Sequence, residues 1–326
     1  MGRVASSSGR PPGSARSVRV FAPASVSNLG PGFDIFGLAL ERPGDEVVVR
    51  AAPGSGIVSL TVTGDGGRVP TDPLRNAAAL AVQGVLDRLG AGAGVAIEVH
   101  KGIPLASGLG GSAASAVAGA VAADALLDGA LDRTALLECA LIGESKGSGA
   151  DHADNAAPSL AGGFVLVLQG RPPRMVQLPT PEEMVVAVAH PALEVETLGA
   201  RTILGDTIPL GAGILQWGNA AGLVAAFFRK DWDLIARCVR DAVAEPARAG
   251  LVPGFHRVKA AALEAGAVAA GLSGSGPSVF ALCRGQLAAE AAAAAMAEAF
   301  MLEAGVESDI VISGTNAAGA RILEME

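Results

Sequence analysis

Tyrosine is absent from this chain, and aromatic residues make up only 3% of its 326 positions. With 50% hydrophobic content, the core must be built from Ala, Val, Leu and Ile, in a chain long enough for one large domain or two ordinary ones. Cysteine is scarce: Cys139, Cys238 and Cys283 are scattered. Their odd number and lack of metal-ligand spacing exclude a disulfide framework and point to reduced, buried thiols in a cytoplasmic protein. Basic charge is in deficit, with 24 Lys and Arg against 32 Asp and Glu. That excludes a general nucleic-acid-binding face while leaving room for a local basic pocket. Long apolar runs are missing too. Charges or glycines interrupt the Ala-rich stretches before ~18 apolar residues accumulate, so no transmembrane helix and no membrane partner are expected. Residues 1–17 contain no acid and are rich in Ser, Arg, Gly and Pro. They share this bias with organelle transit peptides, but their brevity and adjacent prolines favour a disordered tail.

Glycine, by contrast, is plentiful at 44 residues, and its most informative cluster lies in Gly102–Gly119. Glycines 108, 110 and 111 abut an Ala-rich run that begins with Ser112 and Ser115. Glycine permits positive φ and close backbone approach. The run that follows has high helix propensity, so the loop Pro104, Leu105, Ala106, Ser107, Gly108, Leu109, Gly110, Gly111, Ser112, Ala113 and Ala114 ends at a helix N-terminus. Free N–H groups and the helix dipole there favour phosphate; the plainer alternative is a tight turn before a buried helix. It is not a Walker loop, because no lysine occurs between Lys101 and Lys146. Gly108-x-Gly110-x-x-Ala113 fits the dinucleotide fingerprint. Its setting does not: Lys101 to Ser107 separate it from the preceding strand, and a second helical pattern follows the helix.

Apolar-rich runs at 18–22, 46–51 and 57–63 and an alternating run at 95–99 predict strands. Short apolar runs predict others at 164–168, 184–189, 279–283 and 309–312. Helical patterns cover 76–89, 112–127, 131–142, 210–229, 231–243, 254–266 and 287–303. Strands and helices mix without strict alternation, which implies an α+β fold with helices packed on mostly antiparallel sheets. Turn residues at Gly170–Pro173 mark a boundary. The apolar helices at 210–229 and 287–303 read as core by default; the alternative is an interface in a homodimer.

Three further segments carry polar groups. Ala22–Asp34 offers Asn28 and Asp34 among turn formers, suited to an ammonium or hydroxyl, or else to closing the turn. Glu144–Asn155 ends a helix on a carboxylate and continues into a polar loop with His152, Asp154 and Asn155. Mg²⁺ is held by one or two carboxylates plus phosphates, which Glu144 and the Ser112 hydroxyl would suit. Ser273-Gly-Ser-Gly-Pro-Ser278 is a second Gly-rich turn. Arg201 and Arg248 sit in apolar or small surroundings, where Arg suits bidentate carboxylate recognition; the default reading for each is a solvated surface side chain.

Together these segments resemble the GHMP kinase superfamily, whose ATP loop has the form Pro-x-x-x-Gly-Leu-Gly-Ser-Ser-Ala. Pro104-Leu-Ala-Ser-Gly108-Leu-Gly-Gly-Ser-Ala113 matches it, with Gly111 in place of the first Ser. Ser273–Ser278 resembles its third motif. Ala22–Asp34, His152–Phe164 (with Ala153 where Pro is usual) and Glu245–Arg248 followed by Leu251–Phe255 are similar to the homoserine kinase family within it. The resemblance implies a two-lobed fold, with an ATP-binding domain over 18–170 and a C-terminal domain over 171–326. It implies ATP at 104–114 and Mg²⁺ on Ser112 and Glu144. It further implies L-homoserine bound by Asn28, Asp34, His152, Asn155, Thr197, Arg201 and Arg248, and phosphorylation of its side-chain hydroxyl on the path to threonine. Some superfamily members carry a catalytic Asp where Asn155 falls. Asn cannot act as a carboxylate base, so the hydroxyl proton is expected to pass to the γ-phosphate or water, with adjacent Asp154 as the residue that could change this. Another GHMP kinase of a small alcohol, a dinucleotide-dependent oxidoreductase and a non-catalytic amino-acid sensor remain rival readings.

Overall fold

The computed structural model describes residues 16–148, 153–193, 195, 197–315 and 318–326. The strands are β1 (Ser17–Ser27), β2 (Phe36–Ala52), β3 (Gly56–Thr63), β4 (Gly94–His100), β5 (Phe164–Leu168), β6 (Arg174–Leu178), β7 (Met184–Pro191), β8 (Ala269–Leu272), β9 (Val279–Arg284), β10 (Ser308–Gly314) and β11 (Arg321–Met325). The helices are α1 (Ala77–Leu89), α2 (Gly111–Leu126), α3 (Arg133–Ser148), α4 (Ala153–Ala161), α5 (Thr197–Thr202), α6 (Leu210–Arg229), α7 (Trp232–Cys238), α8 (Ala244–Arg248), α9 (Phe255–Glu264) and α10 (Gln286–Ala304). Fifteen of the seventeen residues expected to form a tail lie outside the described residues. Ser17 belongs to β1, its backbone N–H donating to Glu326 O at 3.1 Å.

A seven-stranded sheet runs β11-β1-β2-β4-β3, with β5 on the leading end of β2 and β6 on β5. Among the described residues only β3 and β4 pair in parallel. A four-stranded antiparallel sheet runs β10-β7-β9-β8. Residue 170 falls in the turn of the β5–β6 hairpin, so the larger sheet takes strands from both sides of it. The sheets meet where Ser313 Oγ accepts from Glu41 N at 2.8 Å.

The scarcity of aromatics has a packing counterpart. α2 is buried almost all round, with Ala113, Ala114, Ala116, Ala118, Ala120 and Ala122 in the core. Side chains this small bring backbones close: a Cβ on Gly119 would lie 2.9 Å from Ala78 O, and one on Gly143 would lie 2.3 Å from Ala77 O. α1, α2 and α3 thus form a tight layer over the larger sheet. α1 starts where Asn76 Oδ1 accepts from Ala79 N at 3.2 Å and stops at Gly90 in the left-handed region. Over the smaller sheet, Phe255, Val258, Met296 and Phe300 of α9 and α10 make a second core.

Several elements depart from the sequence expectation: β6, β8, β11, α5 and α8 had no counterpart there, and α3 runs to Ser148 rather than 142. α7 ends at Cys238 rather than 243. β2 starts at Phe36 rather than Glu46, because its turn formers stay paired to β1, with Gly44 opposite Pro23. The segment after 152 is the helix α4 rather than a loop. Within α4, Pro158 has no N–H for the Asp154 carbonyl. Gly37 of β2 lies against that turn, where a Cβ would come within 1.8 Å of Asp154 O. α6, expected as core by default, has an exposed apolar face, whereas α10 turns one face into the second core and leaves Leu287 and Leu302 exposed.

Candidate active site

The first α-helical hydrogen bond of α2 runs from Ala114 N to Gly110 O at 2.9 Å. The N–H groups of Gly111, Ser112 and Ala113 therefore have no acceptor within the helix and open toward the loop, with the positive end of the dipole behind them. Gly108 (φ +75°) and Gly110 (φ +67°) are in the left-handed region. Both also need to be bare. A Cβ on Gly108 would sit 2.5 Å from Ser273 O and 2.7 Å from Gly276 O; on Gly110, 2.5 Å from Ser25 Oγ and 2.7 Å from Asn155 Oδ1. Ser273 Oγ donates to Gly108 O at 2.7 Å, and Ser25 N donates to Leu109 O at 3.1 Å. Four motifs read separately in the sequence thus meet at one loop. Leu109, Ala113 and Ala114, expected in the binding loop, lie fully buried beneath it; they offer the site backbone only.

Beside the loop is a buried ionic cluster that sequence reasoning missed. Asp45 Oδ1 accepts from the N–H groups of Gly102 (3.0 Å) and Ile103 (3.1 Å). Its Oδ2 accepts from Ser115 Oγ at 2.6 Å and from Lys101 Nζ. Lys101 Nζ also donates to Gly111 O (2.8 Å) and Ser115 Oγ (3.0 Å). The pair anchors both ends of the loop to β2. The only sequence signal was a lone Lys before the loop and a lone Asp after turn residues.

The loop edges a cleft of about 460 Å³. One end has apolar walls from Val69, Pro70, Leu74 and Val99, with Asn76 and Ala77 beside them. The other reaches Asn28, Asp34, Asp154, Asn155 and Arg248. There Arg201 grips Asp34 through Nη1–Oδ1 (3.3 Å) and Nη2–Oδ2 (2.7 Å), a contact that raises the guanidinium pKa. Arg248 is buried. Its Nε donates to Ala200 O and its Nη1 to Gly274 O, both at 3.0 Å, and burial lowers its pKa. Both guanidinium groups flank the Phe33 ring, at 5.7 Å for Arg201 and 5.1 Å for Arg248, a cation–π arrangement that fixes them near each other. Asn28 (φ +67°) closes the turn: its Oδ1 accepts from Asp34 N at 3.2 Å and its Nδ2 donates to Gly274 O at 3.1 Å.

Asn155 Oδ1 accepts from Ser25 Oγ at 3.0 Å. Asp154 is 2% exposed, lies beside Ser27, and has no hydrogen-bond partner at Oδ1 among the described residues. Burial pushes its carboxyl up to about 7, and Asp34 adds to the shift. Burial likewise pushes Glu144 up to about 7, against the opposing pull of the Ser112 hydroxyl and the Lys101 charge. His152 lies outside the described residues. Thr197 opens α5, and its side chain is also outside them.

Comparison with known proteins agrees with this geometry. Residues 76–163 match the GHMP kinases N terminal domain and 223–301 the GHMP kinases C terminal family. The chain is 43% identical over 319 residues to a homoserine kinase of Chloroherpeton thalassium, covering 94% of this chain and 100% of that protein. The chain belongs to the homoserine kinase family. It is 40% identical over 319 residues to the family member of Chlorobium phaeobacteroides, covering 94% of this chain and all of that one. The crystal structure of homoserine kinase from Cytophaga hutchinsonii superposes with a TM-score of 0.91 at 43% identity, over 95% of this chain and 98% of that one. The two-lobed GHMP kinase fold expected from the motifs is thus the fold of this chain.

Proposed function

We propose that this protein is an ATP-dependent kinase of L-homoserine, acting in the cytoplasm and giving O-phospho-L-homoserine and ADP. What supports this reading is that Asp34, Arg201 and Arg248 gather around Phe33 at one end of the cleft that holds the α2 N-terminus. A zwitterionic amino acid can exchange with the Asp34–Arg201 pair, its ammonium taking the carboxylate and its carboxylate taking the arginines. Its side-chain hydroxyl then extends toward the loop.

The apolar end of the cleft suits a nucleotide base, and the three N–H groups at the start of α2 suit phosphate oxygens. Transfer of the phosphoryl group needs alignment and charge stabilisation more than covalent help. Among the described residues no three His, Cys, Asp or Glu cluster as a metal cage. Glu144 with Ser112 fits Mg²⁺, which takes one or two protein oxygens and completes its shell from phosphates and water. A cation there would also favour the ionised form of a carboxyl that burial now disfavours. Bound Mg²⁺ would supply charge neutralisation on the phosphates.

Asn155 has no carboxylate on which to accept a proton, and its amide oxygen accepts from Ser25 Oγ. In the first reading the hydroxyl proton passes to the γ-phosphate or water. One observation favours a second: Asp154 brings a buried carboxyl with an open Oδ1 into the same cleft, in the pKa range where a general base is effective. A coupled ADP-release assay with Mg-ATP tests the main reading, run with L-homoserine beside mevalonate, L-threonine and galactose. Turnover with homoserine alone is expected. ADP release with another alcohol instead would overturn the substrate assignment, and ATP binding without release would point to a sensor.

A further inference from the structure

The Ser273–Ser278 turn serves both halves of the cleft. On the substrate side, Gly274 O accepts from Asn28 Nδ2 at 3.1 Å and from Arg248 Nη1 at 3.0 Å. On the nucleotide side, Ser273 Oγ donates to Gly108 O, and the carbonyls of Ser273 and Gly276 form the floor under the bare Gly108. Gly276 N donates to Ser273 O, and Ser273 N to Ser278 O, both at 2.9 Å. The place of Ser278 therefore sets where that floor stands. Gly274 is pinned by two side chains from the substrate side. At the far end Pro277 has no N–H with which to anchor the turn, and the Ser278 side chain carries that task.

The partner of Ser278 comes from outside the cleft. His190 lies near the end of β7, one residue beyond the last β7–β9 pair, Ala189 with Val279. Alternation sets it on the face of Val186 and Val188, toward the first core, opposite Ser278. His190 Nδ1 and Ser278 Oγ are hydrogen-bonded at 3.2 Å. Both residues are buried, and a buried hydroxyl needs such a partner. Burial lowers the imidazole pKa, against the pull of Asp309, and a neutral ring can make this bond in either tautomer. We infer that His190 is a positioning residue for the nucleotide loop: through Ser278 it fixes the turn on which Gly108 lies, without itself lining the cleft. A side chain of the smaller sheet thus holds the phosphate loop of the larger one in place. A histidine that only filled the core would support stability and affect the two substrates alike.

The substrate comparison rests on the homoserine kinase reading, whereas nucleotide binding does not, so the two can fail separately. Titration calorimetry with a non-hydrolysable ATP analogue and Mg²⁺ should show Kd rising about two- to tenfold in Ser278→Ala and in His190→Phe, the equivalent of one neutral hydrogen bond. Ser278→Ala removes a single atom and serves where the ring replacement does not fold. His190→Asn, whose amide reaches the place of Nδ1, should recover most of the loss. The double variant Ser278→Ala/His190→Phe should bind no worse than either single one. In the coupled assay the KM for ATP should rise by the same factor and that for homoserine should stay, because Asn28 and Arg248 still hold Gly274. Analogue binding by the wild type without turnover of homoserine would sink the kinase reading and leave the binding comparison in force. Unchanged nucleotide affinity in both single variants, losses that multiply in the double variant, or a lower melting temperature with equal rises in both KM values would overturn the proposal.

Discussion

Asp34 and Arg201 hold each other through two nitrogen–oxygen contacts, of 3.3 and 2.7 Å, although 167 residues separate them. Sequence reading suited Asp34 to an ammonium or hydroxyl and Arg201 to a carboxylate. Their pairing gives the cleft a local charge balance that an amino acid can restore after displacing it and a neutral alcohol cannot.

Replacing Arg201 by Ala should therefore raise the KM for homoserine while leaving that for ATP unchanged. A hydrogen-bonded contact with a charged group is worth about 1.5–3 kcal/mol, or a roughly tenfold to hundredfold rise. Arg201→Lys should recover little, because the fork geometry is lost. Steady-state kinetics in both substrates checks this, and an equal rise in both KM values would sink it.

Asp154→Asn separates the two proton routes. With Asp154 as acceptor, wild-type kcat/KM should climb with pH to a plateau above about 7, and the Asn variant should lose that rise along with most of its activity. With the proton going to phosphate, the variant should keep both. Stability supplies an independent sign. A buried carboxyl raised to about 7 binds a proton in the folded state over a range where the unfolded chain, near pKa 4, has released it. Its contribution to stability is therefore greatest below about pH 4, falls as pH rises toward 7, and is constant above. Relative to wild type, the melting temperature of Asp154→Asn should rise across that window.

Lys101→Met should cost about 3–5 kcal/mol, the usual penalty for stranding one partner of a buried pair. Asp45→Asn should cost a similar amount, and the double variant less than the sum. Urea denaturation measures all three. Strict additivity would mean that the cluster does not act as a unit.

Gly108→Ala should abolish nucleotide binding, because its Cβ would strike two backbone carbonyls from a left-handed conformation. Gly111→Ser should be tolerated, since its Cβ would come no closer than 3.3 Å, to the Ile103 side chain. Isothermal titration with an ATP analogue distinguishes the two. A large gain in kcat/KM for Gly111→Ser would show that the native loop works below its capacity.

Much of this was legible in the chain because the signals were local. The α2 loop announces itself through glycines followed by alanines, and β4, β5, α1 and α10 through period or propensity, so their bounds fall within a residue or two of expectation. What was hidden depended on distant partners. β8 and β11 have no alternation of their own and become strands because β9 and β1 offer an edge. Asp45 and Lys101 look like ordinary surface charges until β2 and the loop are brought together. Asn28 was read as gripping substrate or closing a turn; it closes the turn and also lines the cleft. α6 was read as core because it is apolar, a property that carries no direction.

The bare backbone of Gly108 rests on residues 273 and 276, more than 160 positions further along. During synthesis the binding loop therefore emerges long before its seat does. A nascent chain that has already made α1, α2 and the larger part of the first sheet still lacks the β8–β9 turn on which the loop is supported. Nucleotide can be held in its final geometry only late in translation, so the ability to turn over ATP is acquired together with the second core.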